Sequence, residues 1–320
     1  MSRTCSRGLS NLEFISKLKD SQFLKAARND CNLVVGIRDE YINIYRNCDS
    51  LAKIDLKNGE LQALINGYYV GKTGMQTINE DEWTLKLDVL ANKSDQRKTD
   101  EKKAQSQLFI NNNQNPDASY FCVDLEYTRK NENWRFDIIA IEKAVPHNVA
   151  LIELKYGSKA ISGKSGIRKH IQDYYSFHKE GSYSSLKTEL IDIIKSLSSI
   201  GVNVPKEIHG LKIEDLAAVP SYYFITLNNK GETEKHATPQ MTMSGYLFKD
   251  RRWNCRKVSN QIATEGDCYA LINNDRTFNP IFLFSDVDLD NMNMIDDIVK
   301  SEAYQFTSTL WEAQINSADK

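Results

Sequence analysis

Three side chains in this sequence are of the types, and at the spacing, that could share one piece of chemistry: Asp137, Glu153 and Lys155. Asp137 lies in Arg135-Phe136-Asp137-Ile138-Ile139-Ala140-Ile141. The other two lie in Val149-Ala150-Leu151-Ile152-Glu153-Leu154-Lys155-Tyr156. Both runs are short, apolar and β-branched, with turn residues around Pro146-His147-Asn148 between them, so they read as paired strands. Alternation puts Glu153 and Lys155 on one face, roughly 6.5 Å apart, with Leu154 on the other. Charges at the ends of apolar strands are costly unless compensated. If Asp137 faces the same way, two carboxylates and an ammonium converge, and the hard carboxylate oxygens suit Mg²⁺ or Mn²⁺. Taken without Asp137, Glu153 and Lys155 read better as a surface salt bridge at a strand end.

The elements around these residues extend the pattern. Upstream, Tyr120 to Thr128 alternates apolar with polar or acidic residues and reads as a strand carrying Asp124 and Glu126 on one face. Glu126, next to the turn leading to Asp137, is the candidate third carboxylate; Asp124 reads equally as a solvated edge residue. Downstream, Gly157 to Gly166 is a loop holding Lys159 and Lys164. Ile167, Ile171, Tyr174 or Tyr175, and His178 then recur at helical spacing, on a helix that also carries Arg168 and Lys169. His170 and Tyr174, four apart, share a face.

Asp137, Glu153 and Lys155 in this strand context resemble the signature of the PD-(D/E)XK phosphodiesterase superfamily, the restriction-endonuclease-like nucleases. Phe136 stands where the signature's name has proline. The likeness covers residues 119–180. It implies a mixed α/β sheet flanked by helices. It also implies Mg²⁺ (or Mn²⁺) held by Asp137, Glu153, Glu126 and the Leu154 carbonyl, with Lys155 beside the attacking water. In that family the further acidic residue commonly sits on a helix before the strands, whereas Glu126 lies on a strand. The pair His170 and Tyr174 is similar to the Gln-x-x-x-Tyr helix of exonuclease-like members, with histidine in place of glutamine. The implied activity is hydrolysis of phosphodiester bonds, of DNA ahead of RNA, in phage defence or restriction. The rival readings are an RNA-cleaving toxin-like effector and a nuclease-fold binding or scaffold subunit.

The 320 residues can bury one large core or a core plus an accessory lobe. A net charge of −2 does not announce a nucleic-acid binder, but local distribution matters more. Substrate contacts are therefore expected from Lys159, Lys164, Arg168, Lys169, His170 and Tyr174. Arg251 and Arg252 join them in a basic run around Trp253, which reads alternatively as a solvated face. The six cysteines show no Cys-x-x-Cys spacing, so a cysteine zinc site is not expected. Scattered thiols and no apolar leader point to a reduced, cytoplasmic chain. No run is long enough to span a bilayer, so no membrane partner is expected. No glycine-rich phosphate loop stands out.

The punctuation predicts two regions, an α+β accessory lobe over residues 1–115 and the nuclease-like domain over 116–320. The first opens with one helix over 10–28 capped by Ser10 or Asn11. Hairpins follow over 33–45 and over 51–65, the latter around Asn58-Gly59. A strand is expected over Trp83–Val89 from its period-2 apolar pattern, then a charged helix over 92–110, and a break at Asn111–Pro116. Later elements are a helix over 186–197, strands over 222–227 and 280–284, and a helix over 295–311. The lobe's surface leaves a homodimer or a partner protein open.

Overall fold

The computed structural model describes residues 7–97, 99–129, 132, 134–157, 167–227, 275, 277, 278, 280–285, 289, 294–300 and 305–306. Two sheets with helices against them make a mixed α/β architecture. The first sheet, in order β1-β2-β3-β4-β5, is antiparallel throughout. Its strands are Val34–Ile37, Ile42–Arg46, Asp49–Lys57, Glu60–Asn66 and Met75–Ile78. The β3–β4 hairpin turns at Asn58 and Gly59, with φ of 52° and 78°, as Asn-Gly requires. A second tight turn at Asn47-Cys48 also has positive φ at both residues and starts β3 two residues before the expected position.

The single helix expected over 10–28 is two: α1 (Leu12–Lys19) and α2 (Gln22–Asn29). Ser21 explains the break. Its hydroxyl donates to the Leu18 carbonyl at 2.7 Å and accepts from the Leu24 N–H at 3.2 Å, closing one helix and capping the next. Asn11 caps α1 through the Phe14 N–H.

The strand expected over Trp83–Val89 is instead the middle of α3 (Glu80–Asp95). Asn79 and Glu82 form a reciprocal capping box that starts the helix. Trp83 and Leu90 are fully buried while Leu85 is 81% exposed, so the 3.6-residue period decides burial and the apparent alternation does not. The charged segment that follows is divided: α3 ends at Asp95 and α4 spans Asp100–Gln114. The asparagine run does not break α4 until Asn115. The Asn112 side chain donates to Leu108 O, and Asn113 pairs with both the N–H and the C=O of Cys122.

The second sheet has the order β11-β10-β9-β8-β7-β6. β6 (Tyr120–Thr128), β7 (Arg135–Glu142) and β8 (Val149–Tyr156) form an antiparallel meander at the expected positions. From β8 the chain crosses over through α5 (Ile167–Lys179) and α6 (Tyr183–Ser199) to β9 (Ser221–Leu227), which pairs parallel with β8. β10 (Pro280–Ser285) adds in parallel. The terminal helix is shorter than expected. α7 is Ile295–Lys300, and Gln305–Phe306 form β11 against β10, so the backbone is extended where a helix was predicted.

One apolar cluster joins α1, α2, the first sheet, α5, α6 and one face of the second sheet. The other joins Ala104, Leu108, Phe109 and Ile110 of α4 to Ile138, Ile152 and Leu154 on the opposite face. The second sheet is thus covered on both sides, which is why β7 and β8 read as nearly continuous apolar runs. No helix among the described residues is long and apolar enough to cross a membrane.

Candidate active site

The site lies where β7 and β8 part. Their ladder runs from Ile141↔Val149 to Ile138↔Ile152 and stops there, while β8 stays paired with β9 as far as Tyr156. In the resulting fork the Asp137 carboxylate does the work of the missing strand, accepting from the Leu154 N–H at 2.9 Å. Glu153 and Lys155 project into the same fork. Lys155 Nζ lies 2.8 Å from Glu153 Oε1 and 3.2 Å from Glu101 Oε1. His170 Nε2 of α5 lies 3.1 Å from Glu153 Oε1.

Burial makes this arrangement chemically tense. Asp137 and Lys155 are each 3% exposed and Glu153 is fully buried. The near groups on Glu153 are the Lys155 ammonium and the His170 ring, both on Oε1. Burial pushes the Asp137 carboxyl up to about 7, with Lys155 opposing and Glu126 adding to the rise. Glu153 is driven well above the ordinary carboxylate range by burial and by Asp137. For Lys155 burial works against the charge, but Glu153, Asp137 and Glu101 outweigh it and raise its pKa, so it is a cation at neutral pH.

Glu126 sits opposite Asp137, between the paired positions Leu125↔Ile138 and Tyr127↔Phe136. Its φ is 52°, left-handed for a residue with a side chain. The consequence shows in its neighbours: Leu125 packs into the α4 cluster and Tyr127, two residues on, into the other. On the facing strand Phe136 and Ile138 divide between the clusters in the same way. A regular strand would put residues two apart on one face. This reversal sets Glu126 and Asp137 into the fork.

The expected site residues are thus placed as follows. Asp137, Glu153 and Lys155 come together, with the charge of Glu126 acting on Asp137. The Leu154 side chain is in the core, and its N–H is the group that meets Asp137. His170 and Tyr174 lie buried beneath the carboxylates. The Tyr174 ring packs on Phe136 and Phe224 at 4.8 and 4.9 Å between centroids, so it supports the site from the core and is not a surface contact. Lys169 is exposed and pairs with Asp173. The side chain of Arg168, and Lys159, Lys164, Arg251 and Arg252 altogether, lie outside the described residues.

Two participants were not foreseen. Glu101 comes from the first turn of α4 and lies 3.2 Å from Lys155 Nζ. It was hidden in a segment that reads as a charged surface helix. Arg135 is acted on by Asp137, Glu153, Glu126 and Glu101.

Among the described residues no group of three or more His, Cys, Asp or Glu side chains is gathered as a metal cluster. The two buried carboxylates nevertheless fit a hard cation. Mg²⁺ is commonly held by one or two carboxylates, with waters and substrate oxygens completing its shell. Glu153, fully buried with both near contacts on Oε1, is the kind of acceptor such an ion would satisfy. An apolar cavity of about 500 Å³ lies elsewhere, lined by Leu24, Val34, Phe109, Phe121 and Leu197 among others, and no residue of the fork borders it. In comparisons with known proteins, no family model, no curated protein and no solved structure matches this chain.

Proposed function

We propose that the chain is a metal-dependent phosphodiesterase acting on nucleic acid, DNA ahead of RNA, with a restriction-endonuclease-like second sheet. The observation that carries this reading is the fork: two buried carboxylates, from strands that have just separated, with a lysine 2.8 Å from one of them. A structural role gives no reason for two adjacent buried acids with too little positive charge between them.

Asp137 and Glu153 would hold the Mg²⁺ or Mn²⁺ ion, which when bound lowers the pKa of water and neutralises phosphate oxygens. Glu101 and His170 hold Lys155 and Glu153 in place from two different helices. Lys155 keeps its proton at neutral pH, so it acts as a fixed positive charge on the reacting phosphate and not as the base. The Leu154 N–H fixes one oxygen of Asp137 and leaves the other free to bind.

The test is cleavage of single- and double-stranded DNA and RNA with Mg²⁺, Mn²⁺ or EDTA. Lys155 is buried, so Lys155→Ala would leave Glu153 and Glu101 without their cation. Lys155→Arg, which keeps the charge and moves it, is the better variant. It should stay folded and lose roughly 10²–10³-fold in rate, the cost of a displaced electrostatic contact. Full activity in that variant, or EDTA-resistant cleavage, moves the chemistry elsewhere.

A further inference from the structure

We infer that Arg135 binds a phosphate of the substrate next to the one being cut, a role that rests on the phosphodiesterase reading above. Arg135 begins β7, opposite Thr128 and two residues from Asp137, at the end where β7 has already left β8. Its side chain is exposed, unlike Asp137, Glu153 and Lys155, so it stands at the mouth of the fork. It makes no hydrogen bond or ion pair with any described residue. That is unusual in its surroundings. Asp137, Glu153, Glu126 and Glu101 all act on it, and Asp173 feels its charge from α5. Lys169, beside it on α5, is already taken by Asp173.

A guanidinium kept solely to offset the buried acids would gain by closing onto one of them, since Arg–carboxylate pairs are strong and bidentate. Among the described residues Arg135 closes onto none of them, and its five donors form a planar fork that matches two oxygens of one phosphate. Its place outside the carboxylates puts it on the solvent side of the reacting position, where a polymer's neighbouring phosphate must pass. The implied substrate is therefore a polyanion with consecutive phosphodiesters, and an isolated phosphate ester would not use this contact.

The experiment measures binding of one fluorescein-labelled sequence as single- and double-stranded DNA and RNA, by anisotropy across a salt series, with Ca²⁺ replacing Mg²⁺. Arg135→Ala should weaken binding about tenfold and lower the magnitude of the salt slope on duplex DNA by about 0.9, as for one lost phosphate contact. Cleavage should show the loss in KM more than in kcat, and the melting temperature should not move. Arg135→Lys should recover most of the salt slope but not all of the affinity. If wild type binds and cuts while Arg135→Ala keeps its affinity and salt slope, the inference fails and the nuclease reading stands. A drop in melting temperature with an unchanged salt slope assigns Arg135 to charge balance and also overturns it. Wild type that neither binds nor cuts any of the four nucleic acids removes the nuclease reading, and this contact with it.

Discussion

Two buried acidic positions on adjacent strands of the same sheet have opposite characters. Asp124 on β6 is 1% exposed. Arg7 reaches one of its oxygens at 3.0 Å and Arg38 the other at 2.7 Å, and the Leu125 N–H adds a third donor. Both guanidiniums are tied further, Arg7 to Thr128 O and over the Tyr127 ring, Arg38 to Leu125 O and the Tyr45 hydroxyl. This knot fastens the amino-terminal residues and the first sheet to β6, one carboxylate holding two cations. Thirteen residues on, the fork differs: Lys155 meets Glu153 and not a second carboxylate of the pair, the Leu154 N–H donates to Asp137, and both carboxyl groups resist ionisation. Buried charge with its donors supplied is architecture. Buried acids held away from ionisation are the kind of group that a functional site uses, and the proposed metal would sit there.

The largest expected effect is on the knot. Asp124→Ala leaves Arg7 and Arg38 buried without their shared acceptor, and breaking a buried pair in this way costs about 3–5 kcal/mol. Urea denaturation should show that loss. A change below about 1 kcal/mol would mean that the knot is no more structural than the fork.

The fork should answer in the opposite sense. Glu153→Gln keeps the shape and removes a charge that burial disfavours, so stability should hold or rise, while cleavage falls at least about 100-fold. Mg²⁺ should raise the melting temperature of wild type, because a ligand that binds only the folded chain stabilises it, and should do so much less in the variant. If Glu153→Gln destabilises the chain as much as Asp124→Ala does, the fork is a second knot and the comparison collapses.

A smaller effect follows from the raised pKa of Asp137. A carboxyl of about 7 folded, against roughly 3.9 unfolded, holds its proton more tightly in the folded state. Its contribution is complete below about pH 4 and is lost as pH rises through 7, the reverse of a salt-bridged aspartate. In EDTA, wild type should therefore lose stability relative to Asp137→Asn between pH 4 and 7, and saturating Mg²⁺ should remove the trend. Wild type gaining on the variant over that range would make Asp137 an ordinary paired acid.

How much of this the sequence could announce depends on how local each cause is. β6, β7 and β8 were legible because apolar runs and turn residues are local signals, and Asn58-Gly59 specifies its own turn. Asp137, Glu153 and Lys155 were legible because strand pairing and a two-residue spacing suffice to bring them together. Trp83–Val89 misled because Trp83, Leu85, Leu87 and Val89 alternate, while the capping box just upstream at Asn79 and Glu82 carried the helical signal. Asp124 was ambiguous because its partners lie 117 and 86 residues away, and no local pattern encodes a distant arginine. Glu101 was hidden for the same reason, since only the packing of α4 on the sheet brings it to Lys155. Arg135 carries no local signal either, because its place at the mouth of the fork follows from where β7 leaves β8.

The smallest effect concerns Glu126, where the backbone of β6 departs from the regularity that surrounds Asp124. A left-handed φ of 52° costs a residue with a Cβ about 1 kcal/mol or more, and glycine avoids that cost. Two substitutions separate backbone from charge. Glu126→Ala removes the carboxylate and keeps the strained conformation; Glu126→Gly removes both. Both should ease the ionisation of Asp137, whose pKa Glu126 raises. They should differ in stability by about 1 kcal/mol in favour of glycine, less whatever glycine's extra freedom in the unfolded chain takes back. Equal stability would mean that the left-handed turn at 126 carries no strain. A glycine variant less stable than alanine would mean that β6 runs regularly past this point. The reversal that aims Glu126 and Asp137 into the fork would then need another cause.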